Sequence, residues 1–388
     1  MQVLHITNSY GGTDVYTNLY TSIDRQSDDI TQLVYVPLNS RNHNRVGNKL
    51  IDFKNEASEI YYSTILKNYH SYLYGAKIQT IVKDIERRYD VRNINLIHAS
   101  TLCSDGAVAY ELNKKYNIPY IVAVRSTDVF GYYNKLIWRR CYFARILQKA
   151  SLIIFISPKY KENFIKTHVK EVLKTEIDKK VLVIPNGVNK VFLDNLHQEK
   201  KKLNEQINVI FVAAFFQRKG LVETIRAVEY LRKQHFNINL LAIGKGLPNR
   251  PQDSVYIDKV EQLSKGKDWV RLQPFKSPIE ILQDMRESDI FVMVSSQETF
   301  GLVYVEALSQ GLSILYAKNE GFDGFYPDGK VGYAAEAGNV DDIADKLVRI
   351  IKEYDTLSSN ISKLDLLKDF DWQSIGQKYI NIYKSILK

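Results

Sequence analysis

Residues 289–311 read DIFVMVSSQETFGLVYVEALSQG, and the order of residue types in that stretch decides how the chain is organised. The run IFVMV is apolar, partly β-branched and too short for a helix of its own, so it reads as a strand. Ser295 to Phe300 then form the loop at its carboxyl end, and a helix is expected from about Gly301. A strand feeding a helix in this way is half of a βαβ unit. Glu298 lies in the loop, and Glu306 sits more than one turn into the helix. A helix N-terminus has unsatisfied N–H groups and a partial positive charge, so Thr299, Phe300 and Gly301 offer a seat for a phosphate. A carboxylate farther along the helix suits the paired hydroxyls of a ribose. Phosphate and ribose side by side are the parts of a nucleotide.

Working outward, short apolar runs alternate with segments of helical period. QVLHITN, QLVYVPL, INLIHAS, YIVAVRS, SLIIFIS and VLVIPNG are the strands of the first half. INVIFVAAF, INLLAIG, DIFVMVSS and SILYAK are those of the second, with helices expected from about Leu221, Pro278, Gly301 and Val340. This alternation is the pattern of parallel sheets with crossover helices. Between the halves, PNGVNKVFLDNLHQEKKKLNEQ is polar and rich in lysine and reads as a linker. The expected fold class is therefore α/β, with two doubly wound parallel sheets in tandem. Such sheets bind ligands beyond the carboxyl ends of their strands, so a cleft between them is the expected site. The chain has 388 residues, 45% of them hydrophobic and 25% charged, enough for two sizeable cores.

Other classes are set aside by what the chain contains. MQVLHITNSY lacks a basic stretch followed by a long apolar run, so no secretory leader is expected there. Apolar runs such as LIIFI fall far short of the ~20 residues that span a bilayer. Cys103 and Cys141 are the two cysteines, without a CxxC or Cys/His grouping for zinc, and a reducing cytoplasm fits. No metal is expected: DFD near residue 370 has the form of a metal-holding DxD, but it precedes an amphipathic terminal helix for which Asp371 is a suitable N-cap.

Two further segments resemble parts of the same site. In FFQRKGLVETI, Arg218 and Lys219 follow a strand and precede Gly220 and a helix. Cations there clamp a diphosphate and stabilise negative charge as it departs. In HITNSYGGTDVY, Gly11 and Gly12 lie between the first strand and the first helix, where a backbone without side chains approaches a ligand closely. LAIGKGLPN lacks the third glycine of a dinucleotide fingerprint and reads as a turn.

Taken with IHASTLCSDG, VRSTDVF, ISPKYKENF and VIPNGV, these segments resemble, nearly end to end, the retaining glycosyltransferases of family 4. The resemblance implies the GT-B fold of two Rossmann-like domains facing a cleft. Residues 1–193, with a closing helix 371–388 that crosses back, would form an acceptor-binding domain, and 194–370 a nucleotide-sugar-binding domain. It implies that Glu298 contacts the donor sugar, Glu306 the ribose, Lys219 with Arg218 the pyrophosphate, and Gly12 the same group from the other domain. Asn186, in PNG, would line the cleft. Two positions depart from the family pattern. Ala214 stands where many members have arginine, so Arg218 is expected to supply that charge. Arg125 stands where many have histidine, and an arginine cannot accept a proton. Either it acts by charge on the diphosphate or acceptor, oriented by Asp128, or the two hold the loop locally. His98 ends a strand facing the cleft and is given a minor role.

The resemblance implies a metal-independent transfer, without cofactor, from a nucleotide-sugar to a glycan or lipid-linked acceptor in bacterial cell-surface polysaccharide synthesis. UDP-sugars are favoured and GDP-mannose stays open. A non-catalytic nucleotide-sugar-binding partner subunit is the alternative. Residues 1–193 carry 27 Lys or Arg against 17 Asp or Glu, whereas 194–388 carry 26 against 27. The surplus suits an anionic acceptor or the inner face of a membrane. No nucleic-acid recognition module accompanies it, so nucleic acid is not an expected partner. NKLIWRRCYFARILQK is basic, aromatic and helical in pattern, either lying on an anionic leaflet or packing with snorkelling cations. IYYSTILKNYHSYLYG carries five tyrosines, as a sugar-stacking or interfacial surface or as a partly buried helical wall.

Overall fold

The computed structural model describes residues 1–10, 12–246 and 251–388. It divides into two compact units, one of residues 1–156, 161–187 and 372–388, the other of 157–160 and 188–371. The division falls at 187/188 and not after 193, because the short helix Lys190–Asp194 packs against helices of the second unit. The closing helix belongs to the first unit and begins at Trp372.

The first unit holds seven strands: β1 (Gln2–Ile6), β2 (Thr31–Asn39), β3 (Glu59–Leu66), β4 (Leu96–Ala99), β5 (Tyr120–Ala123), β6 (Leu152–Phe155) and β7 (Val181–Val183). All pair in parallel in the order β3-β2-β1-β4-β5-β6-β7. The second unit holds β8 (Ile207–Val212), β9 (Ile238–Lys245), β10 (Val270–Pro274), β11 (Ile290–Met293), β12 (Ser313–Ala317) and β13 (Gly332–Ala335), parallel in the order β10-β9-β8-β11-β12-β13. Both are doubly wound sheets whose order reverses beside their first strand. Central strands such as β5 and β11 are buried along their whole length, which is why they read as continuous apolar runs.

Three strands carry no such run. β3, β10 and β13 are three of the four sheet edges, pairing on one side only; the fourth edge, β7, does carry an apolar run. The tyrosine-rich segment read as a helical wall is thus β3 followed by a 3-10 turn and the helix Tyr74–Arg88. In β13, GYAA has little strand propensity of its own. Gly332 sits at φ +153°, where a Cβ would lie 1.7 Å from the Ile314 carbonyl oxygen, so only glycine admits the pairing with β12.

The helix Asp14–Gln26 packs against the C-terminal helix Trp372–Ile386. Leu19, Tyr20 and Ile23 meet Ile375, Tyr379, Ile380 and Tyr383 over Val3, Val34, Val36 and Ile154 of the sheet. Ser22 Oγ donates to the Trp372 carbonyl oxygen at 2.5 Å. A Cβ on Gly376 would come within 2.3 Å of Ser22 Oγ, so the two helices approach as closely as glycine permits. Gly376→Val is therefore expected to lower the unfolding free energy of the first unit by about 1–3 kcal/mol. Gly131→Ala, at a position with nothing within 4 Å of the added Cβ, should leave it unchanged, as read by urea denaturation followed by far-UV circular dichroism.

Candidate active site

In the second unit, β8 and β11 are neighbours at the point where strand order reverses, with Val209 opposite Ile290 and Ile210 opposite Phe291. Their carboxyl-end loops therefore emerge side by side. The loop after β8 makes a 3-10 turn over Gln217–Lys219 and enters the helix Leu221–Lys233 through Gly220. Gly220 is left-handed at φ +77°, and a Cβ there would lie 2.6 Å from the Val294 carbonyl oxygen. The loop after β11 thus presses against this turn, and Ser296 N donates to the Arg218 carbonyl oxygen at 2.8 Å.

That registration brings Lys219 and Glu298 together: Lys219 Nζ lies 2.5 Å from Glu298 Oε2, with the two side chains 14% and 15% exposed. A nearly desolvated pair of opposite charges, 79 residues apart in sequence, sits at the carboxyl end of the sheet. Thr299 N donates to Glu298 Oε1 at 3.3 Å. The Phe300 ring turns away into the core against Phe325 and Phe370, so a ligand would meet the backbone of this residue and not its side chain. Gly301, at φ +82°, precedes the helix Leu302–Ser309 that carries Glu306.

Sequence reading missed Glu320, from the loop after β12. Its Oε2 accepts the Glu298 N–H at 2.9 Å, and its carboxylate also takes the Gln297 N–H. Gln297 is left-handed at φ +61°, a conformation costing a side-chain-bearing residue about 1–2 kcal/mol. Glu320 thereby clamps the turn that aims Glu298 at Lys219, and Gly321 N adds a bond to the Glu298 carbonyl oxygen at 2.9 Å. Nothing in the sequence around position 320 announces this role, because the two loops meet only when β11 and β12 pair.

Arg218 does not join the Lys219–Glu298 pair in what it lines. It borders a cavity of about 610 Å³ with Gln217, Gly220, Glu223, Asp253 and Ser296. Glu223, also missed from sequence, has Oε2 buried there without a hydrogen-bond partner among the described residues. The cavity therefore adjoins the pair.

In the first unit, order reverses between β1 and β4, and the loops after β1, β4 and β5 meet. Asp128 is fully buried and accepts the N–H groups of Leu102 (3.0 Å), Cys103 (2.7 Å) and Arg125 (2.8 Å). Of the two roles left open for it, the loop anchor is the one these bonds describe. Arg125 Nη1 donates to Asn186 Oδ1 at 3.3 Å, and the guanidinium lies 5.9 Å from the Tyr16 ring centre. Asp105, a third residue missed from sequence, accepts from Thr101 Oγ1 (3.0 Å) and Asn8 N (3.5 Å), tying the β4 loop to the β1 loop. Burial pushes its carboxyl up to about 7.

His98 is not poised toward a ligand. It is buried beneath the C-terminal helix, with Nδ1 2.7 Å from Tyr383 Oη and its ring 5.3 Å from that of Tyr379. Burial, with Arg125 nearby, holds its pKa down at about 3, so it serves as a neutral wall residue. Gly12 is closely approached by the Arg45 guanidinium, whose Nη1 lies 3.3 Å from where a Cβ would be. Gly11 lies outside the described residues. Among the described residues no three His, Cys, Asp or Glu side chains gather as metal ligands would.

Burial alone raises the Glu306 carboxyl to about 7 from its ordinary 4.5. The folded chain thus keeps a proton there that the unfolded chain releases above about pH 4.5. The associated stability is fully present below that pH and is lost as pH rises through about 7. Relative to wild type, Glu306→Gln should gain stability at pH 8 and not at pH 4, as measured by urea melts at the two pH values.

Residues 194–363 match the profile of the glycosyl transferases group 1, and residues 48–191 that of glycosyltransferase family 4. The alpha-monoglucosyldiacylglycerol synthase of Acholeplasma laidlawii is 27% identical over 278 residues, covering 67% of this chain and 68% of that protein. The capsular polysaccharide biosynthesis glycosyltransferase CapM of Staphylococcus aureus is 25% identical over 252 residues, 62% and 63% of the two chains. In fold, the Anabaena protein HepE, solved in complex with UDP, superposes with a TM-score of 0.70 at 16% identity, over 99% of this chain and 100% of that one. Two parallel doubly wound units of this topology make a GT-B fold. With its two halves matched in order by these two profiles, the chain belongs to the glycosyltransferases of family 4.

Proposed function

We propose that this enzyme moves a glycosyl group from a nucleoside diphosphate sugar, with a UDP-sugar favoured, to a hydroxyl of a glycan or lipid-linked acceptor, retaining the anomeric configuration. The observation that carries the reading is the desolvated Lys219–Glu298 pair at the reversal point of the second sheet. On binding, the two charges separate onto one ligand: the ammonium onto the diphosphate, the carboxylate onto the hydroxyls of the sugar. Glu306 takes the ribose hydroxyls. The UDP-bound state of HepE supports the choice of base. The names of the Acholeplasma and Staphylococcus relatives support a lipid acceptor and capsular polysaccharide assembly respectively, and we place the reaction at the cytoplasmic face of a membrane. Among the described residues no helix is long and apolar enough to cross that membrane.

In the reaction, the bond from the anomeric carbon to the diphosphate oxygen breaks and a bond from the acceptor oxygen to the same carbon forms on the same face. The acceptor proton passes to the leaving phosphate oxygen, so no protein base is required. The chain's part is to orient the two substrates and to stabilise charge as it builds on the diphosphate, through Lys219 and the N-terminus of the helix Leu302–Ser309. Arg125, held against Asn186, contributes positive charge on the acceptor side. No metal ion has a part in this scheme.

Release of UDP from UDP-sugars in the presence of a glycolipid acceptor, undiminished by EDTA and yielding a product of retained configuration by NMR, is the expected outcome. Nucleotide binding without any transfer would instead identify a non-catalytic partner subunit. Lys219→Ala is expected to slow turnover on the order of 10²-fold, and a wild-type rate would overturn the charge assignment. Glu320→Ala, which frees the turn bearing Glu298, is expected to cost between about 10- and 10²-fold in kcat. Glu320→Gln, which keeps an acceptor oxygen for the Glu298 N–H, should recover most of that loss.

A further inference from the structure

The segment that sequence reading left between a membrane-facing helix and a packing helix resolves into two parts. The helix Arg140–Lys149 buries Phe143, Ile146 and Leu147 and packs on the first unit. The turn before it, Ile137–Arg139, does the opposite: Ile137 is 60% and Trp138 74% exposed. Indole and branched aliphatic side chains left bare in this way are unusual, and they are not alone. Tyr72 is 80% and Leu73 55% exposed in the turn that precedes the helix Tyr74–Arg88.

The two turns, some 65 residues apart in sequence, are neighbours in space. The Arg139 guanidinium lies 4.8 Å over the Tyr74 ring, a Cβ on Gly75 would stand 3.7 Å from Arg139 Nη2, and the Tyr74 and Tyr132 rings are 5.9 Å apart. They are also held firmly from behind. Tyr133 is buried with its ring 5.2 Å from that of Phe143, and Arg140 Nε donates to the Tyr133 carbonyl oxygen at 3.0 Å. The result is two adjoining turns on a packed base, each with an aromatic and an aliphatic side chain exposed, which we read together as one platform.

Its charge is one-sided. Residues 60–83 contain three lysines and residues 129–149 five Lys or Arg, and neither segment contains an Asp or Glu. Lys67, Lys135 and Arg140, all exposed, flank the aromatic turns. A protein interface is depleted in lysine at its centre, whereas Trp and Tyr with flanking cations match the headgroup region of a bilayer, apolar below and anionic above. The platform also belongs to the working end of the sheet. The turn bearing Tyr72 follows β3, and the connection bearing Trp138 leaves β5 through Arg125 and the buried anchor Asp128.

We propose that this platform seats the enzyme on the surface of a bilayer containing anionic lipid, with Trp138, Ile137, Tyr72 and Leu73 in the headgroup layer and the flanking cations on the lipid phosphates. The inference deepens the proposed function by naming where a lipid-borne acceptor would be met, and it rests on that reading for the acceptor alone. Bound in this way, the rim carrying Arg125 faces the leaflet that supplies the acceptor.

The test is co-sedimentation of the full chain with vesicles of phosphatidylcholine alone or mixed with phosphatidylglycerol, at low and high salt. Binding to the anionic vesicles, weakened by salt and reduced on the order of tenfold or more in the double variant Tyr72→Ser, Trp138→Ser, is the expected result. Both positions are exposed, so the double variant should keep the wild-type melting temperature. Indifference to anionic vesicles, equal binding to neutral ones, or unchanged binding by the double variant would overturn the proposal. So would a double variant that merely dissolves a dimer, which would make the platform a contact between copies of the chain. None of these readouts needs a sugar nucleotide: transfer to a soluble acceptor without vesicle binding sinks this inference alone, and vesicle binding without transfer sinks the proposed function alone.

Discussion

The pairing of Lys219 with Glu298 is the constraint around which the second unit is arranged. Two charges held at 2.5 Å with little solvent contribute modest net stability, because their desolvation offsets most of their attraction. Removing one partner is far more costly than the pair is stabilising, since the other is left buried and uncompensated. Such a pair is held in place by its surroundings. Gly220 pressed on Val294, the Ser296 bond to Arg218 and the Glu320 clamp on the Gln297–Glu298 turn all spend conformational freedom on this one juxtaposition. That expense is reasonable where a ligand with a diphosphate and neighbouring hydroxyls replaces each charge's partner at once.

The first unit meets the same topological opportunity with different chemistry. Its loops at the reversal point are tied by buried carboxylates to backbone N–H groups, Asp128 to three of them and Asp105 to Asn8 and Thr101. Burial raises both carboxyls, so these anchors are neutralised more readily than surface acids would be. Behind them the C-terminal helix closes the sheet face through His98 and Tyr383, fastening the chain's last residues to its earliest strand neighbours. Rigidity here serves the outer rim, where Arg125 and the aromatic platform share one connection.

Most of the strands legible in the sequence are buried on both faces. β5, β6 and β11 appear as unbroken apolar runs, and β4 and β8 as runs broken by one polar residue each, because helices cover them above and below. β3, β10 and β13 escaped because these edge strands carry Tyr, Pro and Gly, which one-sided pairing tolerates, whereas the edge strand β7 keeps the apolar run VLV. Helix starts at Leu221, Pro278 and Val340 were found to the residue, since glycine, proline and capping side chains act locally.

The same distinction applies to the site. Local order along the chain determined that Lys219 and Glu298 each follow a strand and precede a helix, because loop composition and hydrophobic period are properties of neighbouring residues. It also determined the family, through motifs whose spacing is itself local. Tertiary structure alone decided that Glu320 holds the Glu298 turn, that Arg218 borders a cavity adjoining the pair, that His98 packs under the C-terminal helix, and that the turns before Tyr74 and Arg140 adjoin. Those contacts join residues that meet only after parallel strands have chosen their order and register. The choice is made by burial summed over the whole sheet, to which no short segment holds the key.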